Sequence, residues 1–152
     1  MSFIGTKKFP RSLQLDSWSC GSRAVHAVLR HFGVHWPHRL LQAHLGTNPD
    51  TGTAVHQMIR VLRGHALRVG YHAHLSWLEL GHALNAGAVV IVHLDGDHLG
   101  VAHGVDDEHV YLADPSTTRL LGRRQTRQKF LSRWTRWGLV VRRSATKASR
   151  RS

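Results

Sequence analysis

The chain of 152 residues contains a single cysteine, Cys20. One cysteine cannot form an internal disulfide, and it argues against a zinc site built from thiolates. A free thiol survives in a reducing compartment and stays available for chemistry there. We therefore expect a cytoplasmic protein in which Cys20 can react.

The sequence also lacks long apolar runs. No window approaches the ~20 apolar residues that a membrane span needs. The first residues, Met1 to Pro10, contain two lysines but no apolar stretch after them, so we predict neither a signal peptide nor a transmembrane segment. A hydrophobic content of 41% with 20% charged residues is ordinary for a soluble globular protein of one domain.

Acidic residues are missing from the end of the chain. All nine of them precede residue 119, so the formal net charge of +12 belongs to residues 119–152. This basic segment predicts an acidic partner such as nucleic acid, anionic lipid or an acidic peptide, unless it is only a solvated surface with a floppy tail. Its bases are Arg119, Arg123, Arg124, Arg127, Lys129, Arg133, Arg136, Arg142, Arg143, Lys147, Arg150 and Arg151.

The first half of the sequence has the periodicity of helices. Apolar residues between Gly21 and Phe32 recur every three or four positions, and Gly33 ends the pattern. Ser76 and Glu79 have the spacing of a capping box. The patterns predict helices at 21–32, 37–46, 53–62 and 76–87, and one strand at 67–73.

The second half has the pattern of a sheet. A strongly apolar run ends at Leu94, and Asp95-Gly96 is a hairpin signal. The patterns predict strands at 88–94, 99–105, 109–113, 120–121 and 138–141, and a helix at 125–134. Helices followed by an antiparallel sheet predict an α+β fold of two packed halves. We expect an N-terminal extension at 1–11, one domain at 12–143 and a basic disordered tail at 144–152.

Cys20 lies directly before the first long helix. The partial positive charge at a helix N-terminus favours the thiolate, which is the nucleophilic form of cysteine. Gly21 allows a substrate carbonyl to approach the backbone closely. The competing interpretation is a buried cysteine that acts as a small hydrophobic residue.

Four short motifs occur in an order that resembles the bacteriocin-processing, double-glycine leader peptidases, a papain-like family of cysteine peptidases. Gln14 stands six residues before the Cys20-Gly21 pair. His98 opens an apolar stretch, and Asp114-Pro115 follows sixteen residues later, the spacing of a hairpin that places both on neighbouring strands. Gly52-Thr53 also matches the family, and the resemblance covers residues 12–141.

The resemblance implies a papain-like fold and a catalytic set. Cys20 would be the nucleophile and His98 its general base, and Asp114 would orient the imidazole. The side-chain amide of Gln14 and the backbone N–H of Cys20 would form the oxyanion hole. The implied substrate is a leader or small peptide cut after a double-glycine-type site, and an export transporter is an implied partner. Cofactors and metals are not implied.

The sequence departs from the family at three positions near these motifs. Ser19 stands where an aspartate usually precedes the nucleophile, and Leu99 stands where an aromatic residue commonly follows the histidine. Arg23 occupies a position where small residues are usual. These departures bear on substrate preference. In the family the peptidase is often a domain of an export transporter. Because no membrane span is predicted in this sequence, we expect either a standalone relative or a domain excised from such a transporter.

Other interpretations stay open. A non-catalytic papain-like module that binds peptides would share the fold, and deamidation or acyl transfer could use the same residues. Trp134 and Trp137, among arginines, could stack on nucleic acid, although Trp134 fits the buried face of a helix better. The fourteen histidines give no convincing metal site, because Gly33 and Pro37 interrupt the helix that would align the nearest ones.

Overall fold

A computed structural model describes residues 3–10, 12, 16, 18–115 and 124–144. The described helices are α1 (Cys20–His31), α2 (His38–Leu45), α3 (Val55–Arg63), α4 (Trp77–Asn85) and α5 (Arg127–Arg133). The described strands are β1 (Ile4–Gly5), β2 (Leu67–His72), β3 (Val89–Leu94), β4 (His98–Val105), β5 (His109–Ala113), β6 (Arg124–Thr126) and β7 (Trp134–Arg143). None of these helices is both long and apolar enough to cross a membrane.

The strands form one antiparallel sheet in the order β2-β7-β3-β4-β5-β6, and β1 pairs with the far end of β4. The β3–β4 hairpin turns at Asp95 and Gly96, whose φ angles of 56° and 82° are both positive. This is the conformation that Asp-Gly favours in tight hairpins. The turn places His98 at the start of β4.

Helices cover both faces of the sheet. Alternate residues of β3 therefore enter different cores: Val89 and Ile91 pack with α1, α2 and α3, whereas Val90, Val92 and Leu94 pack with α4 and α5. Burial on both faces explains why the sequence of β3 is apolar apart from His93, rather than alternating between apolar and polar residues. Early helices and a later antiparallel sheet agree with the predicted α+β class.

Most elements lie within one or two residues of the sequence-based expectation, and the capping box of Ser76 and Glu79 is present. The helix predicted at 125–134 was too long, because residues 124–126 pair with β5 as β6 and Trp134 begins β7. The final strand was predicted too short at 138–141. The strand predicted at Leu120–Leu121 lies outside the described residues.

The two ends of the chain are only partly described. Within the predicted N-terminal extension, Ile4–Gly5 pairs with Val105 and Gly104 of β4. At the other end, the N–H of Ser144 donates to the carbonyl of Ala66 at 3.3 Å. The remainder of the predicted tail lies outside the described residues, so the tail and the domain boundaries stay predictions.

Candidate active site

Cys20 is the first residue of α1. The turn before it is held by Asp16, whose Oδ1 accepts the N–H of Trp18 at 3.0 Å and of Ser19 at 2.8 Å. These bonds fix the direction in which the chain enters the helix. The Cys20 side chain therefore lies where the helix dipole is positive, which favours a negative charge on sulfur.

Gly21 brings the first turn of α1 against the loop before α3. A Cβ at Gly21 would lie 3.0 Å from the Cβ of Thr53 and 3.2 Å from its Oγ1. Thr53 is itself fixed, because its hydroxyl is hydrogen-bonded to that of Thr47 at 2.7 Å. A side chain at position 21 would therefore force Thr53 to shift by a few tenths of an ångström, and the Gly52-Thr53 motif lies directly beside Cys20.

His98 and Asp114 come together across the β4–β5 pair. His98 begins β4, and Asp114 follows the last residue of β5, Ala113, which pairs with Val101. The Nε2–H of His98 donates to the Oδ1 of Asp114 at 2.6 Å. Asp114 is only 8% exposed, so this bond also offsets the cost of burying its carboxylate.

The Cys20 thiol interacts with the same imidazole. Burial raises the pKa of the thiol, but hydrogen bonds with His98 and with the backbone N–H groups of Leu99 and Gly21 outweigh burial and lower it below its ordinary value. Because Nε2 of His98 is used by Asp114, Nδ1 is the nitrogen left for the sulfur.

The pKa of His98 shifts in the complementary direction. Burial lowers this pKa, but hydrogen bonds with Asp114 and Cys20 raise it to about 9. Each of these two neighbours therefore favours the protonated ring. At a pH between the pKa of the Cys20 thiol and that of His98, the site favours a thiolate beside an imidazolium. This pair is the reactive state of a cysteine nucleophile.

Cys20 opens onto a cleft of about 430 Å³. Apolar side chains from four parts of the chain form much of its wall, and Asp50 and Asp97 add carboxylates. The lining residues are Trp18, Cys20, Gly21, Pro49, Asp50, Thr51, Gly52, Thr53, Val55, His93, Asp97, Leu99 and Trp137. A peptide can therefore reach the sulfur through an open groove rather than an enclosed cavity.

The two tryptophans considered for nucleic-acid stacking occupy different places. Trp134 is 4% exposed, and its ring stacks on Phe130 with centroids 5.1 Å apart. Trp137 lines the cleft and makes edge contacts with the rings of His93 and Tyr71. Trp134 thus belongs to the core, as its spacing indicated, whereas Trp137 belongs to the candidate site and was not assigned there from the sequence.

Arg133 links the hairpin turn to Asp114. Its guanidinium binds both carboxylate oxygens of Asp95, with Nη2 at 2.8 Å and Nε at 3.1 Å. The same Nη2 lies 3.8 Å from the Oδ2 of Asp114. This arrangement could not be predicted from the sequence, because Arg133 is one of many bases in its segment and is distant in sequence from both aspartates.

The unusual Arg23 has a defined role in the fold. Its Nη1 donates to the Oγ of Ser12 at 3.2 Å, and the Ser12 hydroxyl contacts Nδ1 of His26 at 2.7 Å. The Nε2 of His26 contacts the carbonyl of Trp36 at 2.9 Å, so Nε2 carries the proton and Nδ1 accepts from Ser12. Arg23 thereby fastens the segment before the cysteine to α1.

A second polar pair lies under the first turn of α1. The buried Ser22 hydroxyl donates to the carbonyl of Ser19 at 3.0 Å and therefore accepts from Nε2–H of His38 at 2.9 Å. Burial, together with the charge of Arg23, lowers the pKa of His38 to about 4. His38 is thus a neutral structural residue, and among the described residues no three His, Cys, Asp or Glu side chains are grouped to bind a metal ion.

Of the four predicted site residues, Cys20, His98 and Asp114 lie together. Gln14 lies outside the described residues. Its part in an oxyanion hole stays a prediction, as do the catalytic roles of the other three.

The basic segment is partly used within the fold. Besides Arg133, three of its arginines lie over aromatic rings: Arg127 over Trp77, Arg136 over Trp134 and Arg143 over Phe32, at 4.9 to 5.5 Å from the ring centres. These contacts give several of the bases a structural role. They weaken the prediction that the positive charge of residues 119–152 serves to bind an acidic partner.

The sequence profile of the Peptidase C39 family matches residues 8–146, and the chain belongs to this family. An uncharacterised protein of Methanothermobacter marburgensis is 30% identical over 131 residues, which cover 86% of this chain and 87% of that protein. An uncharacterised protein of Methanothermobacter thermautotrophicus is 32% identical over 114 residues, covering 74% and 76%.

Solved structures of peptidases share the fold. A double-glycine motif protease from an AMS/PCAT transporter, in complex with its leader peptide, has a TM-score of 0.74 at 19% identity, covering 90% of this chain and 93% of that one. A C39-like peptidase from Bacillus anthracis has a TM-score of 0.75 at 15% identity, covering 94% and 98%. The peptidase domain of Streptococcus ComA, a bifunctional ABC transporter of a quorum-sensing pathway, has a TM-score of 0.68 at 17% identity, covering 91% and 99%. The predicted papain-like fold and the family resemblance are confirmed.

Proposed function

We propose that this protein is a cysteine endopeptidase that cleaves a leader or small peptide after a double-glycine-type site. The observation that carries the proposal is the position of His98, held between the Asp114 carboxylate and the Cys20 thiol beside an open cleft. Membership of the C39 family supports the reaction class. The leader-peptide complex of a protein with the same fold supports the substrate class.

In the proposed reaction His98 takes the thiol proton, and the sulfur attacks the carbonyl carbon of the scissile bond. The tetrahedral intermediate collapses when the C–N bond breaks, and the imidazolium gives its proton to the leaving amine. Water then attacks the thioester while His98 accepts a proton from it, which releases the new carboxylate and the free thiol. Asp114 holds the ring and stabilises its charge throughout.

The preference for small residues before the scissile bond follows from crowding around the sulfur. Thr53 and Leu99 lie close to Gly21, because a Cβ added there would be 3.0 Å from the Cβ of Thr53 and 3.5 Å from the Cδ1 of Leu99. We expect a substrate with glycine on the acyl side to bring its carbonyl to the sulfur between these walls, and a branched side chain to clash with them. The oxyanion would accept hydrogen bonds from the Gln14 amide and the Cys20 N–H.

The remaining predictions concern where the protein acts. We propose a cytoplasmic peptidase that acts on a peptide destined for an export transporter. The free Cys20 supports a reducing compartment, and the transporter origin of two similar structures supports the partner.

A peptide cleavage assay tests the proposal. Synthetic leader peptides ending in Gly-Gly and followed by a short cargo are incubated with wild-type protein and with Cys20→Ala, and products are identified by mass spectrometry. We expect cleavage after the second glycine by wild type alone, and none when that glycine is valine. Peptide binding without cleavage by wild type would favour the non-catalytic module instead, and conversion of Gln to Glu without chain cleavage would favour deamidation.

A further inference from the structure

Arg133 contacts both structural supports of the candidate catalytic histidine. One support is the β3–β4 turn, which contains Asp95 and leads into His98. The other is Asp114, whose Oδ1 accepts a hydrogen bond from the Nε2–H of His98. Arg133 itself comes from α5, so a third element joins the two strands that form the His98–Asp114 pair.

The position of Arg133 is firmly set. Its backbone carbonyl accepts the N–H of Asp95 at 2.8 Å, while its guanidinium makes a bidentate pair with the Asp95 carboxylate. Bidentate arginine–carboxylate pairs restrict both partners more than a single contact does. The Arg133 side chain is 20% exposed, and its pair with Asp95 leaves Nη2 3.8 Å from the Oδ2 of Asp114.

We propose that Arg133 is a positioning residue, which holds the Asp114 carboxylate in the orientation that supports the His98 imidazolium. This inference rests on the proposed peptidase function. Oδ1 of Asp114 faces the imidazole at 2.6 Å and Oδ2 faces the Arg133 guanidinium at 3.8 Å, so the carboxylate lies between two cations. A nearby fixed cation favours the ionised carboxylate and opposes its rotation away from the ring.

Other charged groups face this pair as well. Cys20 approaches His98 from α1, and the Asp95 carboxylate lies near both His98 and Asp114. Arg23 and Asp114 line a small common cavity. Asp95 is already paired with Arg133, so its negative charge is largely offset at the site. Arg133 therefore acts on Asp114 through the fixed position of its guanidinium as well as through its charge, because the pair with Asp95 holds the guanidinium in place.

The test uses Cys20, which is the only thiol in the chain and can be alkylated without knowledge of the substrate. The alkylation rate with iodoacetamide is measured from pH 5 to pH 10 on wild type, Arg133→Gln and Arg133→Lys, with a thermal melt of each. For Arg133→Gln we expect a rate at pH 6 roughly tenfold below wild type, the effect of a one-unit rise in the thiol pKa. Arg133→Lys keeps the charge without the bidentate geometry, so we expect an intermediate rate.

Two further variants separate positioning from support of the turn. Arg136→Gln removes an arginine that stacks on Trp134, and we expect it to match wild type. Asp95→Asn keeps the Arg133 cation and one amide oxygen that can accept from its guanidinium, but it removes the bidentate carboxylate. We therefore expect a smaller rate loss than for Arg133→Gln, close to that of Arg133→Lys. Wild-type rates for both Arg133 variants, or equal losses in Asp95→Asn and Arg133→Gln, would overturn the inference. An unreactive thiol in wild type would instead count against the peptidase proposal itself.

Discussion

The Nε2 of His98 lies 2.6 Å from the Oδ1 of Asp114, although sixteen residues separate them in the chain. The pairing of β4 with β5 creates this proximity, and the burial of Asp114 with the partial burial of His98 strengthens the bond. The opposite ring nitrogen is left for Cys20. The β4–β5 hairpin thus positions the His98 imidazole, on which the proposed chemistry depends.

Replacing Asp114 with alanine tests the role of this bond. The pKa of His98 is raised to about 9 by Asp114 and Cys20, against an ordinary value of 6.5. The alkaline limb of kcat/KM reports loss of the imidazolium proton, so we expect the limb in Asp114→Ala to move from about 9 toward 6.5. We expect kcat to fall by up to about 10⁴-fold. An alkaline limb that stays in place would mean that Asp114 does not stabilise the imidazolium.

Gly21→Ala tests the contact between α1 and the loop before α3. The added methyl would lie 3.0 Å from the Cβ of Thr53, so we expect a loss of about 1–3 kcal/mol in the free energy of unfolding and displacement of Cys20. Gly81→Ala is the matched control, because a Cβ there meets nothing within 4 Å and α4 gains helix propensity of about 0.5–1 kcal/mol. Urea denaturation measures the free energy of unfolding of both variants. Equal stability changes would contradict the close contact.

The neutral His38 predicts sensitivity to acid. Burial lowers its folded pKa to about 4, so the unfolded chain takes up this proton near 6.5 and the folded protein only near 4. The free energy of unfolding should therefore fall as the pH drops from 6.5 toward 4, with no such loss above 6.5.

His38→Gln isolates this effect, because an amide N–H can still donate to Ser22. We expect the urea midpoint to fall less between pH 8 and pH 5 in His38→Gln than in wild type. The exposed His35 provides the control, and His35→Gln should behave as wild type does. The same midpoint loss in His38→Gln and wild type would show that other groups cause the acid sensitivity.

Gln14→Ala tests the proposed oxyanion hole. A donor to the tetrahedral intermediate contributes only after the thiol has attacked, so its loss should lower kcat by about 10²–10³. The alkylation of Cys20 by iodoacetamide forms no oxyanion and should keep its wild-type pH dependence. An equal decrease in both rates would indicate that Gln14 supports the fold near Cys20 rather than the intermediate.

The parts of the fold that depend on local patterns could be predicted from the sequence. The helix after Cys20, the capping box at Ser76 and the Asp95-Gly96 turn all have signals within a few residues. The pairing of β1 with β4 and of β6 with β5 could not be predicted, because these strands are two and three residues long and exist only through partners distant in the chain. Trp134 was assigned to the preceding helix because Phe130 and Trp134 share its period, but the chain turns extended there to pair with β3.

The candidate site shows the same division. Cys20, His98 and Asp114 could be selected because motifs surround each of them. Arg133 could not, since its relation to Asp114 depends on the packing of α5 against the β3–β4 turn, and Trp137 could not be placed in the cleft for a similar reason. Side chains that act through another residue leave little trace in a single sequence.

The most direct test of the proposed thiolate–imidazolium pair is the pH dependence of Cys20 alkylation by iodoacetamide in wild type and in His98→Ala. A free cysteine reacts with a pKa near ~8.5. We expect the wild-type thiol to remain reactive well below that pH, because His98 and two backbone N–H groups stabilise the thiolate. We expect His98→Ala to lose this low-pH reactivity. An ordinary or inert thiol in both proteins would contradict the pair and, with it, the peptidase mechanism.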